Sequence, residues 1–63
     1  MKTYLIDYYL LDQKGEKENE FYETIELEAE SHDDAKMKLP RYLSEKEIGY
    51  CDIEISSIFC EEN

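Results

Sequence analysis

The chain has 63 residues, of which 17 are acidic and seven are basic, giving a formal net charge of −10 at pH 7. This length indicates one domain, residues 1–63, that buries only about 60% of its unfolded surface, which leaves little room for an enclosed active site. The charge argues against direct binding to nucleic acid or to anionic membranes, because both require Lys and Arg to meet phosphate. It is compatible with a basic protein surface as the partner.

The first predicted elements are two strands joined by a hairpin. Residues 3–11 are nearly continuous in Tyr, Leu and Ile, which suits a central strand covered on both sides. A polar loop over 12–19 follows. Residues 20–30 then alternate as in a half-buried strand. One face has Phe21, Ile25, Leu27 and Ala29 with the misfit Glu23, and the other has Glu20, Tyr22, Thr24, Glu26 and Glu28.

A helix is predicted after the second strand. Ser31 is a good N-cap, and Asp33 and Asp34 place two carboxylates in the positive first turn. Pro40 interrupts the apolar stripe that follows, at a cost of about 3 kcal/mol. We expect one kinked helix, or a helix that ends near residue 39 with a second turn after it and a further turn over 44–47 ended by a glycine. The residues of the stripe are Ala35, Leu39, Tyr42 and Leu43.

The third predicted strand spans residues 50–60. Cys51, Ile53 and Ile55 point to one face, and Asp52 and Glu54 to the other. The alternation breaks over 56–59, which predicts a bulge. The predicted fold is therefore α+β: a three-stranded antiparallel sheet, β-β-α-β in chain order and 2-1-3 in the sheet, with one kinked or split helix on one face.

No group of residues indicates catalysis or a bound cofactor. Ser31, His32 and Asp33 are the residue types of a hydrolytic triad, but adjacent residues cannot converge on one another. Glu23 is the single candidate for a catalytic carboxylate, and we expect it to reach water at the end of the sheet or to pair with a basic residue of the helix. Without a Cys-x-x-Cys, a His pair or a calcium loop, we expect no metal, no cofactor and no enzyme.

The two cysteines and the N-terminus indicate a cytoplasmic protein. On one strand Cys51 and Cys60 lie about 30 Å apart, whereas a disulfide needs Cα atoms within about 7 Å. Reduced thiols are typical of the cytosol. Met1 and Lys2 lead directly into the first strand, and no apolar run approaches the ~20 residues of a membrane span.

The acidic residues of the second strand share one parity. If the strand starts early in the loop, its even-numbered glutamates line one side with about 6.6 Å between neighbours. Residues 20–34 contain no Lys or Arg, whereas a solvated face normally mixes charge signs. We therefore expect an acidic strip free of compensating bases. Its glutamates are Glu16, Glu18, Glu20, Glu26, Glu28 and Glu30.

Apolar and aromatic side chains fall among these charges. Leu5, Tyr9, Leu11 and Tyr22 share the acidic face, and aromatic anchors ringed by charge are typical of binding interfaces. A sheet face that is simply exposed to water would explain the alternating acidic residues, but it would not explain the apolar and aromatic side chains among them. The predicted partner-binding residues are Asp7, Tyr9, Leu11, Glu20, Tyr22, Glu26, Glu28, Asp52 and Glu54.

In size, charge and layout the chain resembles the small acidic inhibitor proteins of phages and mobile elements, which include anti-CRISPR proteins and DNA mimics. The resemblance implies a protein that occupies the basic surface of a nucleic-acid-binding protein, such as a CRISPR effector or another nuclease. The alternative is a homodimeric interaction module whose acidic face only confers solubility. In that case the apolar side chains of this face pack against their copies.

Overall fold

The computed structural model describes residues 1–61, which form a three-stranded sheet and one helix. The elements are β1 (Lys2–Leu11), β2 (Glu23–Ala29), α1 (His32–Glu45) and β3 (Asp52–Glu61). Both β2 and β3 pair antiparallel with β1, so the sheet order is β2-β1-β3. The predicted α+β fold and its β-β-α-β order are confirmed.

The core lies between α1 and one face of the sheet. Alternate residues in the middle of β1 are buried there, and α1 contributes a stripe of residues four apart. The side chains of β3 that face the helix are only half-buried. β1 is therefore central but covered on one face, not on both as its apolar sequence suggested. The buried residues are Tyr4, Ile6, Tyr8, Ala29, Ala35, Leu39 and Leu43.

The helix begins as predicted and runs through its proline. The Ser31 hydroxyl accepts a hydrogen bond from the Asp34 N–H at 3.1 Å, and the Asp34 carboxylate accepts one from the Glu30 N–H at 2.8 Å. Pro40 lies inside the helix and is exposed. Of the two expected arrangements, the single helix is confirmed. The alternative end near Leu39 is wrong, because buried residues before and after Pro40 keep the chain helical across it.

The helix also ends differently from the prediction. Lys46 is the C-cap, and its N–H donates to the Tyr42 carbonyl at 3.1 Å. Glu47 follows with a φ of 58°, the left-handed conformation that often closes a helix. The Ile48 N–H then reaches the Leu43 carbonyl at 3.0 Å. The expected turn over residues 44–47 forms at the end of α1, where the Glu47 N–H donates to the Ser44 carbonyl at 3.0 Å, but Glu47 takes the closing position that was expected of Gly49.

The connection between β1 and β2 is longer than the predicted loop. The Asp12 carboxylate accepts hydrogen bonds from the N–H groups of Lys14 at 2.9 Å and Glu16 at 3.0 Å, which closes a tight turn. β2 begins only at Glu23, so residues 20–22 lie outside the strand. The prediction that Phe21 belongs to the core face is wrong, because its side chain is 75% exposed.

β3 contains the predicted bulge. Asp7 pairs with Ser57 and Tyr8 pairs with Ile55, which leaves Ser56 as the extra residue. The extra residue reverses the facing of every later position in the strand. Cys51 precedes β3 rather than belonging to it, and Cys51 and Cys60 are both free thiols. Within residues 1–61, no helix is long and apolar enough to cross a membrane.

Candidate functional site

The candidate site is the sheet face that α1 leaves uncovered, which we call the open face. Its members alternate with the buried residues of β1, and the strand register extends the same parity to both neighbours. They are Thr3, Leu5, Asp7, Tyr9 and Leu11 of β1, Thr24, Glu26 and Glu28 of β2, and Asp52, Glu54, Ser57, Phe59 and Glu61 of β3.

Most of the predicted partner-binding residues lie on this face. Tyr22 precedes β2 but joins the face through its ring, whose centroid lies 6.2 Å from that of Tyr9 in an edge-on contact at 77°. Glu20 lies outside the strand, so the predicted line of six glutamates along β2 is wrong. The predicted residues that the strands place on the open face are Asp7, Tyr9, Leu11, Glu26, Glu28, Asp52 and Glu54.

The centre of the open face is a hydrogen-bonded row across all three strands. The Thr24 hydroxyl donates to one Asp7 carboxylate oxygen at 2.6 Å, and the Ser57 hydroxyl donates to the other at 2.8 Å. Asp7 is itself half-buried. Much of its hydrogen-bonding capacity is therefore used within the sheet, and its first role is to join β1 to both neighbours.

Lys17 brings a positive charge onto one end of the open face. Its Nζ lies 3.9 Å from the centroid of the Tyr9 ring and 3.7 Å from Oε2 of Glu54. The isolated bridge between Lys17 and Leu11 holds this part of the connection beside β1. The expectation that the acidic face is free of basic residues is wrong at this end, because Lys17, which lies outside residues 20–34, folds back over the face.

The other end of the open face is acidic. Glu26 lies opposite Leu5, and Glu28 lies opposite Thr3. Both glutamates are exposed. Among the described residues neither makes a salt bridge. Two carboxylates that alternate along one strand therefore face solvent together.

Asp52 has a register position on the open face, but its side chain also has neighbours outside that face. Its carboxylate accepts a hydrogen bond from the Ile53 N–H at 2.8 Å. It also borders a groove between α1 and β3 that Leu39, Pro40 and Tyr50 help to line. Asp52 therefore stands at the edge of the face.

Phe59 is a member of the open face that the sequence pattern missed. It lies opposite Leu5, and its side chain is 64% exposed. Without the bulge its odd number would place it with Ile53 and Ile55 on the helix side. A one-residue bulge assigned to Ser56 would have located it correctly.

The basic residues are concentrated on the other side of the sheet. Residues 32–46 of the helix and its cap contain four basic and three acidic residues, whereas the rest of the chain contains three and 14. The Lys38 side chain makes contacts within the fold, because its Nζ lies 3.1 Å from the Asp34 carboxylate and donates to the Glu28 carbonyl at 3.2 Å. The net negative charge of the chain thus arises outside the helix.

Glu23 and His32, which the sequence analysis weighed for catalysis, are both exposed. Glu23 is exposed at the first position of β2, which confirms that it reaches water at the end of the sheet. Burial raises the pKa of the neighbouring Tyr8, and the charge of Glu23 raises it further. His32 is exposed, with its ring edge-on to Tyr4 at 5.0 Å between centroids. Within residues 1–61, no group of three or more His, Cys, Asp and Glu is placed to hold a metal ion.

A scan of protein-family models finds no match to this chain, and neither does a search of curated proteins or of solved structures.

Proposed function

We propose that this chain is an acidic binding protein that inhibits a nucleic-acid-binding protein by occupying its basic surface. The target class is a CRISPR effector or another nuclease, met in a bacterial cytoplasm, and the mode of action is that of an anti-defence DNA mimic. Binding rather than catalysis is its activity.

One observation carries this proposal: the open face combines exposed carboxylates with exposed aromatic rings. Glu26 and Glu28 face solvent at one end, while Phe59 and Tyr22 are 64% and 51% exposed. A face that served only solubility would need the charges but not the rings. Carboxylates give long-range attraction to a basic groove, and aromatic rings give short-range contact.

The charge distribution supports an oriented approach to such a groove. Because the net negative charge arises outside the helix, electrostatic attraction should turn the open face toward the basic groove and the helix, with its basic residues, away from it. Attraction of this kind is screened within about 8 Å at physiological ionic strength. Binding should therefore weaken steeply as salt is added.

Competition with nucleic acid tests the proposal. The chain is immobilised, proteins are captured from a bacterial lysate at low salt, and the captured nuclease is offered labelled duplex DNA or its guide RNA. Mimicry requires that nucleic acid and the chain displace one another. A ternary complex in which the nucleic acid remains bound normally, or an affinity that salt does not change, would contradict it.

A pair of matched variants locates the binding face. The open-face variant carries Glu26→Gln and Glu28→Gln, and the control variant carries Glu45→Gln and Glu47→Gln at the end of the helix. Both remove two exposed carboxylates and change the net charge equally. The open-face variant should lose more affinity than the control, and equal losses would show that only total charge matters.

The homodimer remains a second candidate, and Phe59 favours it. Phe59 and Leu5 lie side by side across β3 and β1 and make a larger apolar patch than the sequence suggested. A symmetric dimer through this face would bring Glu26 and Glu28 toward their copies, so added salt should strengthen it. Sedimentation at several concentrations and salt levels separates the two functions, because a concentration-independent monomer rules out the dimer.

A further inference from the structure

We propose that Tyr9, Tyr22 and Glu54 form a subsite for an arginine side chain of the basic partner, and that Lys17 occupies this subsite until the partner arrives. The inference rests on the proposed function and specifies how part of the open face recognises its target. We call these three residues the cation subsite.

The geometry of the cation subsite is that of a partly built cage. The Tyr9 ring forms its floor, with Lys17 Nζ 3.9 Å above the ring centroid. Glu54 supplies a carboxylate at 3.7 Å from the same nitrogen. Tyr22 packs edge-on against Tyr9, at 77° between the ring planes, and supports the ring that forms the floor. An aromatic face together with a carboxylate is the combination that holds an alkylammonium or guanidinium group.

Lys17 is a replaceable occupant. Its side chain is 48% exposed and that of Glu54 is 53% exposed, so the ion pair between them is screened by water. Lys17 comes from the connection between β1 and β2, outside every strand of the sheet. An incoming side chain can therefore take its place without disturbing the core.

Arginine fits this subsite better than lysine does. Its planar guanidinium stacks on an aromatic face and donates two parallel hydrogen bonds to one carboxylate, whereas an ammonium acts as a point charge. Basic surfaces that bind nucleic acid are rich in arginine. The cation subsite thus adds a specific contact to the general attraction from Glu26 and Glu28.

Two lysines in the same connection provide a matched test. Lys17→Gln empties the cation subsite, and Lys14→Gln removes the same charge from an exposed position of the turn. The probe is an oligoarginine peptide at low salt, with oligolysine for comparison. Lys17→Gln should bind oligoarginine about fivefold more tightly than Lys14→Gln does, the value of one exposed cation–π contact with its ion pair. Ring signals of Tyr9 and Tyr22 in NMR spectra should shift on binding.

A second variant decides the question if Lys17→Gln loosens the connection. Lys17→Arg keeps the contact with Tyr9 and Glu54 and should hold the subsite more firmly, so oligoarginine should bind about two- to threefold more weakly than to the unmodified chain. Equal affinity of the two glutamine variants, or unchanged affinity of Lys17→Arg, would overturn the proposal. So would tyrosine ring signals that do not move at saturation.

Failure of the cation subsite differs from failure of the proposed function. If only the subsite is wrong, oligoarginine affinity still falls with salt and in the open-face variant, but the Lys17 variants have no special effect. If only the proposed function is wrong, the Lys17 effects appear with the peptide while nucleic acid stays bound to its protein in the presence of the chain.

Discussion

The Asp7 carboxylate joins all three strands, so replacing it should weaken the sheet itself. Asp7→Ala removes the hydrogen bonds from Thr24 at 2.6 Å and from Ser57 at 2.8 Å. For a half-buried carboxylate we take about 1 kcal/mol for each bond, below the range for fully buried charged groups, and expect a loss of about 2 kcal/mol. A chain of 63 residues has a total unfolding free energy of about 3–9 kcal/mol. The loss is therefore a large fraction of the whole.

Asp7→Asn provides the graded comparison. The amide can accept one hydroxyl hydrogen bond and donate another, so this variant should lose less than about 1 kcal/mol. Thr24→Val removes only one hydroxyl and keeps the β-branched shape, and should cost about 1 kcal/mol.

Urea unfolding followed by circular dichroism measures this series. With a slope of about 1 kcal/mol per molar urea, Asp7→Ala should lower the midpoint by about 2 M, and Asp7→Asn by less than about 1 M. Asp7→Ala combined with Thr24→Val should cost less than the sum of the two, because both remove the same bond. A midpoint for Asp7→Ala within about 0.3 M of the unmodified chain would refute a stabilising role for the hydrogen-bonded row.

Three further expectations concern the helix and its contacts. Leu39→Ala should cost about 2–5 kcal/mol in urea unfolding, because Leu39 is fully buried. Pro40→Ala should raise the unfolding free energy by about 2 kcal/mol, because it restores a helical N–H at an exposed position. The Glu30 N–H, and then Lys38, hold the pKa of Asp34 below its ordinary 3.8. The stability that Asp34 contributes is therefore fully present above pH 3.8 and is lost as the pH falls through the lowered pKa that Asp34 has in the folded chain. Asp34→Asn should therefore reduce the loss of unfolding free energy at acid pH.

The sequence was sufficient for the order of the elements and for the buried residues of β2 and α1, whereas it suggested that β1 is covered on both faces. Period-two alternation located β2 and β3, and the Ser31 cap with its two carboxylates located the start of α1. These signals are local, because each depends on residues that are only a few positions apart in the sequence. Pro40 left a single helix and a split helix both open, and the single helix formed because burial of the stripe on both sides of Pro40 outweighs its local cost.

The content of the open face was only partly predictable. The predicted face of Glu26, Glu28 and Tyr9 was correct, because these residues lie in regular parts of their strands. Lys17 could not be placed, since a turn closed by Asp12 brings it back over Tyr9 from outside the strands. Phe59 was missed because one extra residue in β3 reverses the facing of all later residues.

If the proposed function is correct, the open face binds a basic surface that also binds nucleic acid. The most direct measurement is the displacement of labelled nucleic acid from the captured nuclease by the unmodified chain, the open-face variant and the helix-end control, across a range of salt. We expect displacement by the unmodified chain and by the control. Glu26→Gln with Glu28→Gln should displace less nucleic acid and should have a smaller salt dependence. Equal displacement by all three proteins, or none by the unmodified chain, would contradict it.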